Sequence, residues 1–309
     1  MKKGSTVATL VLIVGVIILG ISFVIAGFNF KNYSSSKSRR GGEFNTYTYE
    51  CKGDINELVV DETSDAVRVL VGDVDKAVVT YHAKEEDAYT ITEENGKLTV
   101  AKNKKPQITI GFYLEFEDQS TEILLPKNFY GDVDVEVSSG AANVNGLKVK
   151  DLSVKSSSGA SKVENVEATG NVELKCTSGL AGMENVKAAG DVLLKTSSGL
   201  ASAENVTCKS FTGASTSGLF KCKNVVSDSF IDVKGTSGSV KVEEIEAKEG
   251  ISLESTSGLI SGTIADKEEN FSIITKQGSG SCNLKDSRDG EKTLDVSIGS
   301  GSINIKFTK

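Results

Sequence analysis

The chain of 309 residues has no Trp, two Pro, one His and only 6% aromatic residues. With His82 alone, a multi-His metal site and histidine-based catalysis have nothing to build on. Arginine is nearly missing from the body: beyond residue 40 only Arg68 and Arg288 occur. A polysaccharide-lyase site, which wants clustered acids with an Arg or Lys base, is poorly served. Basic charge is short as well. Residues 1–40 hold six Lys/Arg and no acid, so taking those six off the chain's net −7 leaves −13 on residues 41–309. Such an acidic body is a poor nucleic-acid binder. No Gly-Lys-Ser/Thr follows a strand and opens a helix, so there is no phosphate loop. The sequence therefore predicts no enzyme, no cofactor and no catalytic or metal-binding residues.

What is present begins with an apolar segment. No charge interrupts the stretch between Lys3 and Lys31. At ~1.5 Å per residue, about 20 residues already cross a ~30 Å hydrocarbon layer, so residues 5–30 read as a transmembrane helix behind a short tail, 1–4. A cleaved signal peptide is the rival reading, with Val24 and Ala26 before Gly27, but its apolar core would usually be only ~7–15 residues long. Lys31, Lys37, Arg39 and Arg40 outnumber the two lysines before the span, and that count alone would put the body inside. A short tail ahead of a long body is the signal-anchor arrangement, so the body is expected outside, at the cell membrane, single-pass. Residues 31–43 form a flexible basic linker, suited to anionic lipid head groups.

From residue 131 onward the dipeptide Ser-Gly returns at Gly140, Gly159, Gly179, Gly199, Gly218, Gly238, Gly258, Gly280 and Gly301. A fixed period near twenty is the mark of a solenoid. Seven residues before each Gly stand Val133, Leu152, Val172, Val192, Phe211, Ile231, Ile251, Ile273 and Leu294, all apolar. Alternation about them reads as half-buried strand. Apolar columns recur two, four and seven residues after the Gly. The sequence thus predicts an all-β, single-chain β-solenoid of ~20-residue coils, residues 131–309, each coil pairing with the next. Ser-Gly marks one corner, where Gly takes a crowded backbone; Asn165, Asn185, Asn205 and Asn224 mark a second. Nine copies of Ser-Gly without a base column argue for a corner and against a nucleophile elbow. Cys176, Cys208, Cys222 and Cys282 fall in inward columns and are expected as buried small hydrophobes without disulfides, with Cys51 in the region ahead.

Two outward columns are candidate binding surfaces. Lys155, Lys175, Lys195, Lys234 and Lys276 stand four before their Gly and form a candidate ladder for an anionic envelope polymer; Glu164, Glu184, Glu204 and Glu243 stand five after. Like charges ~4.8 Å apart cost roughly 0.9 kcal/mol per pair in bulk water, so such ladders must be solvated, and a plain solubilising face is the bland alternative. Leu180, Leu200, Leu219 and Leu259 stand one after and form a candidate apolar partner strip, covered by another part of the chain or by a membrane protein partner.

Residues 44–130 lack the Ser-Gly mark but read as strands at Ile55–Val60, Ala66–Val71, Ala77–His82, Ala88–Thr92, Lys97–Ala101, Gln107–Phe116 and Thr121–Leu125. They are either a drifted start of the solenoid or a sheet that caps it, the cap being the simpler reading. The lead-in Asn56-Glu57-Leu58-Val59-Val60 with Asp65-Ala66-Val67-Arg68-Val69, then Leu125-Pro126 followed by Val133-Asp134-Val135-Glu136-Val137-Ser138-Ser139-Gly140, behind a single span, resembles the bacterial putative-adhesin β-strand-repeat family. That family is a domain of unknown function that also includes membrane-anchored proteins of cell-envelope stress systems. The resemblance covers about residues 50–309 and brings no catalytic residues. It implies an envelope-facing, non-enzymatic solenoid and lends weight to the outside, extracytoplasmic orientation; the leading expectation is an adhesin or envelope-stress module that binds envelope polymer, another cell or a membrane partner. The other readings are a membrane-attached filament or scaffold like the bactofilins, and a regulatory scaffold facing the cytoplasm.

Overall fold

The structure, a computed structural model, describes residues 44–103 and 120–309. The expected span at 5–30, the linker and the expected strand Gln107–Phe116 lie outside the described residues. Among those described, no helix is long and apolar enough to cross a membrane. Strands dominate: β1 Asn45–Glu50, β2 Glu57–Glu62, β3 Val67–Gly72, β4 Val78–Ala83, β5 Tyr89–Glu94, β6 Lys97–Lys102, β7 Thr121–Pro126, β8 Asp132–Val137, β9 Ala142–Asn145 and β10 Lys148–Val149. Long bent strands follow, each running through most of a coil: β11 Leu152–Ala168, β12 Val172–Ala188, β13 Asp191–Cys208, β14 Ser210–Ser227, β15 Phe230–Ala247, β16 Gly250–Ile264, β17 Phe271–Cys282 and β18 Lys292–Phe307.

From β11 to β16 each coil pairs in parallel with the next, with every Ser-Gly opposite its neighbour: Gly159 with Gly179, Gly199, Gly218, Gly238 and Gly258 in succession. The predicted solenoid is therefore what forms, and the column seven before the Gly is buried throughout. Each coil turns at three places. At the first, Gly179 has φ 126°, and a Cβ there would lie 2.0 Å from the Gly159 carbonyl oxygen. Only glycine lets the coils approach that closely. At the second, Asn165, Asn185, Asn205 and Asn224 adopt φ of 52–55°, the left-handed region Asn tolerates. Their amides form a ladder, each Nδ2 donating to the Oδ1 one coil back, from Asn224 to Asn145, at 2.9–3.1 Å. At the third, Asp151 Oδ1 accepts from the Asn171 backbone N–H, and Asn171 Oδ1 from that of Asp191. Packing inside is compensated between columns. Gly213 stands between Leu194 and Val233 in an inward column, and the Phe220 ring fills the space its side chain would have taken.

The region ahead of the repeat joins the stack by parallel pairing and carries antiparallel strands beyond it. β2 and β3 are a true coil: they pair in parallel with β8 and β9, Leu58 opposite Val133 and Val67 opposite Ala142. On their other side they pair with β6 and β7, Leu58 opposite Leu98 and Val67 opposite Thr121. Antiparallel strands then close this end, β5 on β6 through the Asn95-Gly96 turn, β4 on β7, and β1 on β4. Such strands shield a solenoid's open edge.

At the other end the expected order fails. β16 pairs with β18, not β17, and β17 pairs with β18. The chain skips one level, lays down β17, and returns to fill the gap. Side-chain polarity explains the exchange. The inward residues of β18 are Leu294, Val296, Ile298, Ile303 and Ile305, all buried, whereas β17 offers Thr275, Gln277 and Cys282 at the equivalent places. Burying the oilier strand between two neighbours, and leaving the polar one at the end, removes more apolar surface from water.

Candidate binding surfaces

The lysine column lies on the outward side of the segment that precedes the Ser-Gly corner. Register places Lys155, Lys175 and Lys195 on adjacent coils. Ala214 then interrupts before Lys234. Lys276 keeps the column's register but is cut off from the run: Glu254 on β16 already follows Lys234, and the insertion of β18 adds Ser297 between Glu254 and Lys276. Acids of the neighbouring outward column partly neutralise the run. Lys175 pairs with Glu173 at 2.7 Å, Lys155 with Asp134 at 3.9 Å, and Lys234 with Asp232 and Glu254 at 3.5 and 3.9 Å. Beside Lys195 the acid is replaced by Leu193, and Lys195 is exposed. Exposed pairs of this kind are worth about 0–1 kcal/mol, so they yield readily to a better anion.

Next to Lys155 the same face is concave and acidic. A groove of about 610 Å³ is lined by Glu57, Asp132, Asp134, Asp151 and Glu173, with Lys97 and Lys155 among them. The glutamate column is broken in the same way, since Lys223 replaces glutamate between Glu204 and Glu243 and pairs with Glu204 at 2.6 Å. Lys162 bridges Glu164 and Glu184 at 2.6 and 3.0 Å.

The leucine strip is shorter than the sequence suggested. Leu180, Leu200 and Leu219 stack on successive coils, but Ser239 separates them from Leu259. Leu219 and Leu259 are 37% and 39% exposed, while Leu180 and Leu200 are half-buried. Beside the strip the Ser-Gly corner shows an exposed line of Ser157, Thr177, Ser197, Thr216, Thr236 and Thr256.

Sequence reading missed one buried polar cluster. Glu62 is fully buried at the end of β2; its Oε1 accepts from the backbone N–H groups of Thr63, Ser64 and Asp65 at 2.8–3.2 Å. Tyr89 donates its hydroxyl proton to Glu62, Thr121 donates to Tyr89, and Lys102 pairs with both Glu62 and Asp65. Burial, and then the Glu62 charge, pushes the Tyr89 phenol well up. Burial also raises the Asp65 carboxyl, which Lys102 only partly offsets. The signal was phase: Glu62 follows Leu58 and Val60, and Lys102 follows Leu98 and Val100, at inward parity. The cluster ties the first coil to β5, β6 and β7.

Four of the five free cysteines are buried, and Cys282, on the terminal strand, is half-buried. Burial pushes the Cys51 thiol up to about 11 and Cys208 to about 12, so neither is a ready thiolate. Among the described residues no group of three or more His, Cys, Asp or Glu side chains is placed to hold a metal ion.

The Toastrack DUF4097 family model matches residues 55–306, and the chain belongs to that family. No curated protein matches it. Three solved structures to which it is similar are a putative cell adhesion protein from Clostridium sporogenes, a putative adhesin from Bacteroides fragilis and a putative lipid binding protein from Parabacteroides distasonis. The first is 11% identical, covering 86% of this chain and 100% of that one at a TM-score of 0.32. The second is 12% identical, covering 87% and 98% at 0.37. The third is 14% identical, covering 85% and 97% at 0.30. Overlaps this loose carry no argument about what the chain binds.

Proposed function

We propose that the chain is a membrane-anchored, extracytoplasmic binding module, an adhesin-type solenoid that holds an extended polymer of the cell envelope by many weak, evenly spaced contacts. One observation carries this reading: the coils stack in register, so an outward residue type repeats at ~4.8 Å along a face. A polymer with its own repeat can meet such a face many times, and linked weak contacts then add through effective concentration. The run Lys155, Lys175, Lys195 favours an anionic polymer. Anchoring rests on the uncharged stretch within residues 5–30, and the outside orientation on the signal-anchor arrangement. The buried acids Glu62 and Asp65 are tied up in bonds to backbone N–H groups, Tyr89 and Lys102, which favours a binding role over an enzymatic one.

The test is co-sedimentation of residues 44–309 with isolated cell envelopes. We expect binding that weakens with salt, and that falls about tenfold, the equivalent of ~1.4 kcal/mol, when Lys155, Lys175 and Lys195 are all changed to Glu. No binding to envelopes would contradict the reading. Protease added to intact protoplasts tests orientation: the body should be digested, and protection would place it inside.

A further inference from the structure

The face that carries the lysine run also carries a column of acids whose charge the fold does not use. Asp132, Asp151, Asn171 and Asp191 stand on successive coils at the third corner, each one residue before the register partners Val133, Leu152, Val172 and Val192, and all four are exposed. Their structural task is to accept a backbone N–H from the next coil. Asp132 Oδ1 accepts from Asp151 at 3.3 Å, Asp151 Oδ1 from Asn171 at 2.6 Å, and Asn171 Oδ1 from Asp191 at 2.8 Å. Asn171 does this with a neutral amide, so the corner needs an oxygen and no charge. Stacked carboxylates repel one another. Asp134 and Glu173, nearer the lysines, are paired with Lys155 and Lys175, but among the described residues Asp132, Asp151 and Asp191 pair with no lysine or arginine.

Between the two columns the face is hollow. The groove of about 610 Å³ is lined by Asp132, Asp151 and Asn171 from the one and by Lys155 from the other. Four residues separate the columns along each strand, about 13 Å at ~3.3 Å per residue. Ion contacts of ~2.8 Å at either end leave about 7–8 Å between the opposite charges of a ligand that touches both.

We propose that this face recognises a zwitterionic polymer, one whose repeat carries an anionic group for Lys155, Lys175 and Lys195 and an ammonium group for Asp132, Asp151 and Asp191. The proposal rests on the polymer-binding role and narrows its ligand. A purely anionic chain meets repulsion from the aspartates, and a purely cationic one meets it from the lysines; a chain with both charges meets neither.

The test uses the detergent-solubilised full chain and immobilised poly(glycerol phosphate), either bare or esterified with alanine, whose amine supplies the ammonium. The esterified polymer should bind about tenfold tighter, through three exposed ion contacts made together. Asp132→Asn, Asp151→Asn and Asp191→Asn, made together, should remove that preference with Tm unchanged. Asn171→Asp keeps the corner oxygen and adds a fourth carboxylate, so it should widen the preference about twofold. Vesicles of phosphatidylethanolamine, in which only two carbons separate phosphate oxygen from ammonium, should bind no better than the bare polymer; binding as tight as the esterified polymer would assign the site to a lipid head group and overturn the proposal. Equal binding of the two polymers, or a preference that survives the three Asn changes, would overturn it and leave the polymer-binding role standing. Binding of neither polymer would overturn the zwitterionic class, and a further failure to bind isolated envelopes would take the polymer-binding role with it.

Discussion

At Gly199 the backbone has φ 121°, and a Cβ would lie 2.0 Å from the carbonyl oxygen of Gly179, so alanine meets a conformational penalty and a clash at once. Gly199→Ala should lower stability by about 3 kcal/mol, read as a drop in Tm, whereas Ser198→Ala beside it should change little. The columns give a second contrast within three residues. Val192 is buried and Lys195 is exposed, so Val192→Asp should cost on the order of 4 kcal/mol and Lys195→Asp almost nothing; equal losses in denaturant melts would contradict the assignment. Asp65 titrates in the opposite sense to a surface carboxylate. Its folded pKa is raised, so protonation favours the folded state; its contribution is full below the unfolded pKa and is lost as pH rises through the folded one. Asp65→Asn should therefore stabilise the chain at pH 7, with the gain shrinking on acidification, as thermal melts across that range would read.

Among the elements, β18 holds the end of the stack together, because among the described residues β17 pairs with no other strand. Ile303 is buried between Ile260 and Cys282, and Ile303→Asp should free both strands, exposing the edge of β16. The expected readout is aggregation of the purified chain together with selective proteolysis after residue 264. Proteolysis spread evenly over all coils would argue against a separable end. This insertion was not legible from spacing, since Gly280 and Gly301 fall in the same column whichever strand lies next to β16. Polarity did hold the clue: Thr275 and Gln277 stand where every inner coil prefers apolar or small residues. By contrast, the coils from β11 to β16 were fully legible, because one residue's phase error would have turned Val172, Val192 and Ile231 outward together. The lysine column was only half legible: Ala214 and Glu254 stand at its phase in the sequence and interrupt it openly, whereas Ser297 enters through an order of strands that the repeat length does not encode.

For the molecule as a whole, stability resides in contacts between neighbouring coils, as in other stacked repeats, and the binding surfaces inherit their spacing from that stack. Lys155, Ser297 and Lys276 lie on one outward column, at successive separations set by the order of coils. Genetically encoded spin labels at Lys155 with Ser297, and at Lys155 with Lys276, measure that order directly by pulsed dipolar spectroscopy. Six and seven strand spacings predict about 29 and 34 Å, with the pair ending at Ser297 shorter by about one spacing. The reverse ranking would put β17 next to β16, and distances that fit no multiple of a strand spacing would end the solenoid altogether.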